Sequence, residues 1–432
     1  MSNQNGSGTL SDNNTDSRQA KPQFNSIDYV VNTLRLSVSR SAAAGIYLYG
    51  SDNQYPTKIT EIAKRSSSLQ TVIKKQSLFI AGLGFSGATA NDVKNGTALV
   101  INRNGLTAYE LVQFCSEQKS NINIAIHVNY NQLGEAVEFT PIQYDFVRKK
   151  IKLRGENFDK YIITNIWHLE NNYQNGYFGG AALMENFNKW IHDKKTDINF
   201  TSLECYGYNP DPAAVREQIQ EAGGIENYGG QIFYKKRTQD VYQMALYDSV
   251  IDDAQFDAEA KLYGLSSIQN GFSAGGFLKY WANANGTTEI ETLKQQIRGN
   301  TIGSINANRI IAAPMQMTAE GSMPSNIFEP IQLQNIDKLF ELQKQEAKQN
   351  IQTLFSIPNA LIGKDTEGNF ATQKMQETFD FYNSITEPLR QELEIELTEL
   401  FSNSIFAKSI KLPIEIESLK YMSTANYNTQ TI

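Results

Sequence analysis

Cysteine, histidine and proline are scarce in this 432-residue chain, at two, three and 11 residues. The two thiols, Cys115 and Cys205, are far apart and have no second thiol or histidine at ligand spacing. That excludes a disulfide framework and fits a reducing compartment. His127, His168 and His192 are scattered, so no metal-ligating histidine pair can be read, and neither a Walker A sequence nor a Gly-x-Ser-x-Gly elbow is present. These absences predict no catalytic residue, no metal site and no cofactor. A positive balance is also missing: the net charge is -7 and the isoelectric point about 5.3. This argues against a protein that grips nucleic acid by neutralising phosphates; DNA, if a partner, would be passed rather than held. No run approaches the roughly 18 apolar residues that cross a bilayer, the longest candidate being Leu78 to Leu83, and the N-terminus has no signal-peptide core. The expectation is a chain with no membrane partner.

What is present is apolar content of 40%, which at this length supports a real core and two or more domains. Aromatics are dense, with 21 Tyr and 22 Phe, a composition suited to large packed or intersubunit surfaces.

Along the chain, residues 1–26 read as a disordered tail, because Leu10 and Phe24 are the only large apolar groups up to Asn25. A mixed region follows. Apolar spacing predicts helix over Lys58 to Phe79 and Thr107 to Lys119, strands over Asn123 to Asn129, Glu135 to Ile142 and Tyr161 to His168, and helices over Ala181 to Ile191 and Ala213 to Ala222. A long acidic helix is predicted from Thr238 to Gly264. It precedes a small α/β insert with a strand at Gly276 to Ala282, a helix at Thr288 to Arg298 and a strand at Arg309 to Ala313. A second long helix runs from Gln334 to Ser356 and is stopped by Pro358. A third spans Ala371 to Phe401, with Pro388 as a kink and Leu389, Leu393, Leu397 and Leu400 as its apolar stripe. The end of the chain gives one strand, Ile410 to Ile416. The fold class is α+β.

Two letter patterns carry little. Gly82-Leu-Gly84-Phe-Ser-Gly87 matches a dinucleotide loop but follows a helix and leads into the polar, turn-rich stretch Ala88 to Gly96, so it reads as a glycine-rich exit from a helix. Asp248, Asp252 and Asp253 share a helical face only in part, and a solvated acidic face explains them better than a metal site.

The recognisable text lies late in the chain: Leu354-Phe-Ser-Ile-Pro358-Asn-Ala-Leu361-Ile-Gly363, then Gln373 to Tyr382, Ile385-Thr-Glu-Pro388-Leu389, and the leucine-spaced acidic run Glu392 to Leu400. With Asp52-Asn-Gln-Tyr-Pro56, Gly82-Leu-Gly84-Phe85 and Asn270-Gly-Phe-Ser-Ala-Gly-Gly-Phe277, this order resembles the portal proteins of tailed bacteriophages, the head-to-tail connectors, over roughly Tyr49 to Leu400. The resemblance implies a portal fold. Its parts would be an α/β wing (27–236), a first stem helix (237–269), a small α/β clip (270–333), a second stem helix (334–356), a tunnel-loop region (357–374), a long kinked helix on the wing and crown side (375–401), and a short C-terminal segment (402–432) in place of a full crown.

The same resemblance implies a structural virion subunit at the capsid vertex, present in the host cytoplasm during assembly. Its partners would be further copies in a ring of about twelve, the terminase packaging motor, major capsid and scaffolding proteins, head-completion or adaptor and tail proteins, and double-stranded DNA in transit. Lys364, Asp365, Glu367 and Asn369 would then form the loop nearest DNA. Asp248, Asp252, Asp253 and Asp257 would form an acidic, low-friction channel wall. Phe277, Tyr280 and Trp281 would serve the clip interface. Two other classes stay open at this point, another oligomeric tail or baseplate protein and a metal-dependent hydrolase built on Asp252 and Asp253.

Overall fold

The computed structural model describes residues 38–41, 45–164, 167, 202–269, 276–281, 310–315, 328–330, 336–363 and 372–421. The chain divides into two units, Met1–Arg35 and Leu36–Ile432. All described residues belong to the second, so the predicted tail lies outside them, as do the predicted helices at 181–191 and 288–298.

β1 (Val38–Ser41) and β2 (Ile46–Tyr49) form an antiparallel pair. Where one helix is predicted across Lys58 to Phe79 there are two, α1 (Tyr55–Arg65) and α2 (Ser67–Ala81). Ser66 breaks the run because its extended backbone lets its hydroxyl accept from the Leu69 amide at 3.2 Å, capping α2. After a hairpin of β3 (Gly84–Phe85) and β4 (Ala88–Thr89), a short α3 (Ala90–Asn95) starts at a capping box between Thr89 and Asp92, a turn of helix within the stretch that reads as turn-rich.

A second capping box, Thr107 with Glu110, starts α4 (Ala108–Asn121). Then come β5 (Ala125–Tyr130), β6 (Ala136–Pro141), β7 (Val147–Lys149), β8 (Lys160–Thr164), β9 (Ser202–Gly207), α5 (Pro212–Glu221) and β10 (Gln231–Tyr234). The six strands make one sheet in the order β6-β5-β10-β9-β8-β7, antiparallel except for β10 beside β9.

Side chains alternate across a strand, and here the alternation feeds two cores. Ala125, Ile163, Cys205 and Ile232 face a cluster rich in tyrosine, while Ile126, Val128, Tyr206 and Phe233 face a second cluster with α4. In the first, Tyr49 stacks on Tyr242 with ring centroids 4.2 Å apart, and Tyr144 stacks on Tyr234 at the same distance. Fully buried Arg148 sits over the Tyr49 and Trp167 rings, at 5.3 and 5.2 Å, and donates through Nε to Asn53 Oδ1 at 2.6 Å. That bond and a second from the Tyr49 amide hold Asn53 at φ +59°, so the Asp52 to Pro56 passage turns on a residue clamped from two sides.

The acidic helix begins later than its sequence suggests. Residues 238–247 are irregular, and a 3-10 turn at Asp248–Val250 leads into α6 (Ile251–Gln269). Tyr242, Ala245 and Tyr247 are anchored in the first core instead, which holds the backbone out of helix. A three-stranded sheet follows, β12 (Ile310–Met315), β11 (Gly276–Trp281) and β13 (Phe328–Pro330), with β11 central, parallel to β12 and antiparallel to β13. The chain continues through α7 (Ile336–Leu354), a 3-10 turn at Asn359–Ile362 beyond Pro358, and α8 (Thr372–Ser402), which carries Pro388 inside it. Leu393, Leu397 and Leu400 are buried in the second core and Leu389 packs against it, so the predicted stripe is the packed face.

Ile410 to Ile416 is not a strand. Ile410, Ile414 and Ile416 do bury, but the segment is a strap docked on the second core. Leu83 donates to the Glu417 carbonyl at 2.8 Å, and Glu417 donates back to the Gly84 carbonyl at 3.1 Å. A Cβ at Gly82, where φ is +54°, would lie 2.1 Å from the Glu417 oxygen, and one at Gly84 would lie 2.1 Å from the Ala88 oxygen. The first two glycines of the dinucleotide-like pattern therefore serve close backbone approach.

Candidate functional site

α6 and α7 run antiparallel. Phe340, early in α7, meets Phe256 and Tyr263 of α6 with ring centroids 5.5 Å apart in both cases, and Asn350, late in α7, donates to the Asp253 carboxylate at 3.3 Å near the start of α6. Ala254, Ala258 and Ala347 are buried, small residues that suit close approach of two helices. Between these helices lie residues 270–335 with the three-stranded sheet.

The four aspartates expected along one wall separate into different roles. Asp252 is exposed and Asp253 half-buried. Burial raises the Asp253 pKa; the Asn350 hydrogen bond opposes this, and Glu346 and Asp252 add to the rise, so a local excess of negative charge is present. Asp248 accepts from the Tyr55 hydroxyl, which ties the start of the helix to α1. Its pKa is raised by burial, against the Tyr55 bond and with Asp252 adding.

Asp257 is a correction. It has no accessible surface and cannot line a channel. It accepts from the Ser66 hydroxyl at 2.8 Å and the Ser68 amide at 3.1 Å, at the N-terminus of α2, with Lys261 Nζ at 3.4 Å. Burial alone would raise its pKa, but these donors outweigh burial and hold the carboxyl below its ordinary value.

The third long helix looks acidic in sequence, with seven carboxylates against Lys374 and Arg390. Several of its later carboxylates are answered from α4 and the segment after β10. Lys119 Nζ lies 3.0 Å from Glu392 and 2.8 Å from Glu396, Arg237 Nε donates to Glu392 at 3.1 Å, and Lys235 lies 2.7 Å from Glu399. Glu387 is paired with Arg390. These pairs brace the helix against α4 and the six-stranded sheet, while Glu394 is met by the Ile416 amide at 2.7 Å. Sequence reasoning did not single out Lys119, Lys235 or Arg237. For Lys119 a signal existed: it follows Leu111 and Cys115 at intervals of four, a lysine on the apolar face of its own helix.

Phe277, Tyr280 and Trp281 lie on β11, the central strand of the small sheet; their side chains are outside the described residues. Lys364, Asp365, Glu367 and Asn369 also lie outside them. The feet of their loop are described. Leu361 is buried, Gly363 takes φ +71° after the 3-10 turn, and α8 resumes at Thr372. Among the described residues no group of His, Cys, Asp and Glu is arranged to hold a metal ion, and no helix is long and apolar enough to cross a membrane.

Among the exposed apolar residues, those on the long helices fall in two places. Leu265 and Ile268 on α6 and Leu342 on α7 belong to the part of the helix pair near the small sheet. Phe381 and Ile395 lie on one side of α8, about four turns apart. Each is more than half exposed.

No family model matches the chain, and no curated protein matches it. Several solved structures are similar. The neck of a native gene transfer agent particle, computed with C12 symmetry, has a TM-score of 0.44 at 14% identity, covering 87% of each chain. The virion of a native gene transfer agent particle has a TM-score of 0.42 at 16% identity, covering 86% of this chain and 87% of that one. The neck of an empty particle, computed with C6 symmetry, has a TM-score of 0.44 at 15% identity, with the same coverage. Likeness at this level assigns no function to the chain.

Proposed function

We propose that this chain is the ring subunit of a phage-type portal at the capsid vertex of a virion, a structural protein that surrounds the path of DNA during packaging and ejection. The observation that carries the reading is the antiparallel pair α6 and α7, which leaves the wing, brackets a small mixed sheet and returns to a long proline-containing helix packed on the wing. This is the stem, clip, stem order of the sequence resemblance, with the first stem helix starting at Ile251 rather than residue 237.

On this reading the wing comprises residues 27–250 with α8, the clip 270–333, and the tunnel loop the stretch around Lys364, Asp365, Glu367 and Asn369. Asp252 and Asp253 supply the repulsive surface that denies phosphates stable contact, while Asp248 and Asp257 hold the stem to α1 and α2. Neighbouring copies pack laterally through the exposed apolar residues of α6, α7 and α8. The C-terminal strap folds back onto the wing through Glu417. The clip docks the terminase motor and then adaptor and tail proteins, and the wing meets the capsid and scaffolding proteins.

The test is native mass spectrometry of the purified full-length protein with negative-stain images of the same sample. Closed rings of about a dozen copies with an axial hole are expected, since heterologous contacts that close make rings. A strict monomer or dimer at high concentration would overturn the proposal.

A further inference from the structure

The six-stranded sheet contains a slot one strand wide. β9 fills the space between β8 and β10 only as far as Gly207. Its parallel pairing with β10 is limited to Tyr206 opposite Gln231 and Gly207 opposite Ile232. One more bond runs from the Tyr208 amide to the Ile232 carbonyl at 3.2 Å, after which the chain turns through Asn209 to Asp211, the N-cap of α5. β10 continues to Tyr234, still paired with β5 on its other side.

Strand residues present their amide and carbonyl to alternate sides. Ile232 offers its carbonyl toward β9, and Lys235 donates the other way, to Ile124 beside β5, at 3.3 Å. The Tyr234 backbone therefore faces the space that β9 has left. A cavity of about 410 Å³ lies there, between Ile232 to Lys235 on one wall and Asn157 to Asp159 on the other. That volume is within the range of ligand sites.

The chemistry of the slot is specific. Its rim charges are already answered, Lys235 by Glu399 at 2.7 Å, Asp159 by Lys149 at 2.6 Å, and Lys152 by the Asn157 carbonyl at 3.0 Å with Asp159 at 3.9 Å. Two buried side-chain groups that line it are not: the Tyr234 hydroxyl and the Gln218 amide nitrogen have no hydrogen-bond partner. The Asn209 amide donates to Gln231 Oε1 at 3.0 Å, which makes Gln231 Nε2 the donor to Gln218 Oε1 at 2.8 Å; the Tyr228 hydroxyl donates to that same oxygen at 2.9 Å. The orientation of Gln218 is thereby set. Gln218, with no accessible surface, lines the cavity and keeps a buried Nε2 donor without a protein acceptor. Buried donors are normally paired.

We infer that this slot binds an extended, uncharged peptide segment of a partner protein, which continues the line of β9, pairs with the Tyr234 backbone as an added strand and offers an oxygen acceptor to Gln218. Strand addition supplies main-chain bonds and leaves selectivity to the flanking pockets. At about 3.3 Å per residue the slot takes roughly three residues. A charged segment is disfavoured because no rim charge is left to meet it. The inference stands on the wing alone and is independent of ring formation.

The experiment is hydrogen exchange of the full-length protein, read by mass spectrometry on the fragment containing Tyr234. The probe is an acetylated, amidated hexapeptide of alternating threonine and asparagine at millimolar concentration, with an alternating lysine and glutamate hexapeptide as control. The uncharged peptide is expected to slow exchange at Tyr234 by about tenfold, a change in local opening, and the charged one to leave it unchanged. Asn157→Trp, at an exposed position on the rim, fills the mouth and removes the effect while the thermal melt stays in place. Equal protection by both peptides, or protection by neither, overturns the inference. So does protection without peptide that disappears on dilution, which identifies a second copy of this chain as the occupant. The peptide comparison decides the question even if the Asn157 variant fails to fold.

Discussion

Lys119 Nζ, with no accessible surface, donates to Glu396 at 2.8 Å across 277 positions of sequence. This contact fastens α8 to α4. The two partners are not equivalent: Glu396 has its pKa raised by burial against the pull of Lys119, while Glu392, also beside Lys119 and reached by Arg237, has its pKa lowered because these donors outweigh its burial.

Removing the cation leaves a buried carboxylate unanswered. Lys119→Met is expected to lose about 3–5 kcal/mol of stability in urea titrations at pH 7, whereas the double variant Lys119→Met with Glu396→Leu recovers most of it. Glu396 then binds a proton more readily folded than unfolded, so the single variant gains stability relative to wild type as pH falls from 7 toward 5. A flat difference across that range would contradict the assignment.

Asp257 gives the opposite sign. Its folded pKa lies below its ordinary value, 3.8, so its contribution is complete above that value and is lost as pH falls through the depressed one. Asp257→Ala is expected to cost about 1–2 kcal/mol at neutral pH, in the range of a lost helix cap. The gap between variant and wild type should narrow below pH 4 in denaturant melts.

The strap depends on one missing side chain. Gly82→Ala places a Cβ against the Glu417 carbonyl, and the strained backbone alone is worth about 1–3 kcal/mol. Limited trypsin digestion should cut after Lys411 and Lys420 sooner in the variant, with the wing core cut no faster.

On the ring proposal, assembly and folding separate at the exposed apolar positions. Leu342→Glu and Ile395→Glu are expected to shift fold stability by less than about 0.5 kcal/mol, as surface changes do, yet to lower the fraction of rings at fixed concentration in sedimentation velocity. Unchanged ring content in both variants would move the lateral contact elsewhere.

Much of the local structure was legible before any coordinates. Apolar residues at intervals of three and four mark α4, α5, α7 and α8, and alternation locates β5 and β6; α7 ends before Pro358, at Leu354, where Ser356 takes φ +51° and the Ile357 amide donates to the Gln352 carbonyl at 3.2 Å. These signals are local, because a helix or strand exposes its period within a few residues. The start of α6 was misread for the same reason: residues 238–247 are compatible with helix, and what holds them out of it is a tyrosine cluster whose members, Tyr49 and Tyr55, lie nearly two hundred positions away. Ile410 to Ile416 shows the converse. Its alternation predicts a strand, but the Ile414 and Ile416 amides donate to the Thr398 hydroxyl at 2.9 Å and the Glu394 carboxylate at 2.7 Å on α8 and not to a neighbouring strand.

Charge was the least legible property. In the sequence Asp252, Asp253 and Asp257 are interchangeable acids on one helix, and Glu392, Glu396 and Glu399 make a solvated face. Composition and spacing establish the elements, their apolar faces and the total charge. Which carboxylates are bare, and which are held by Ser66, Lys119, Arg237 or Lys235, depends on segments brought together from distant parts of the chain, because a charge is defined by its nearest counter-charge in space and not by its neighbours along the backbone.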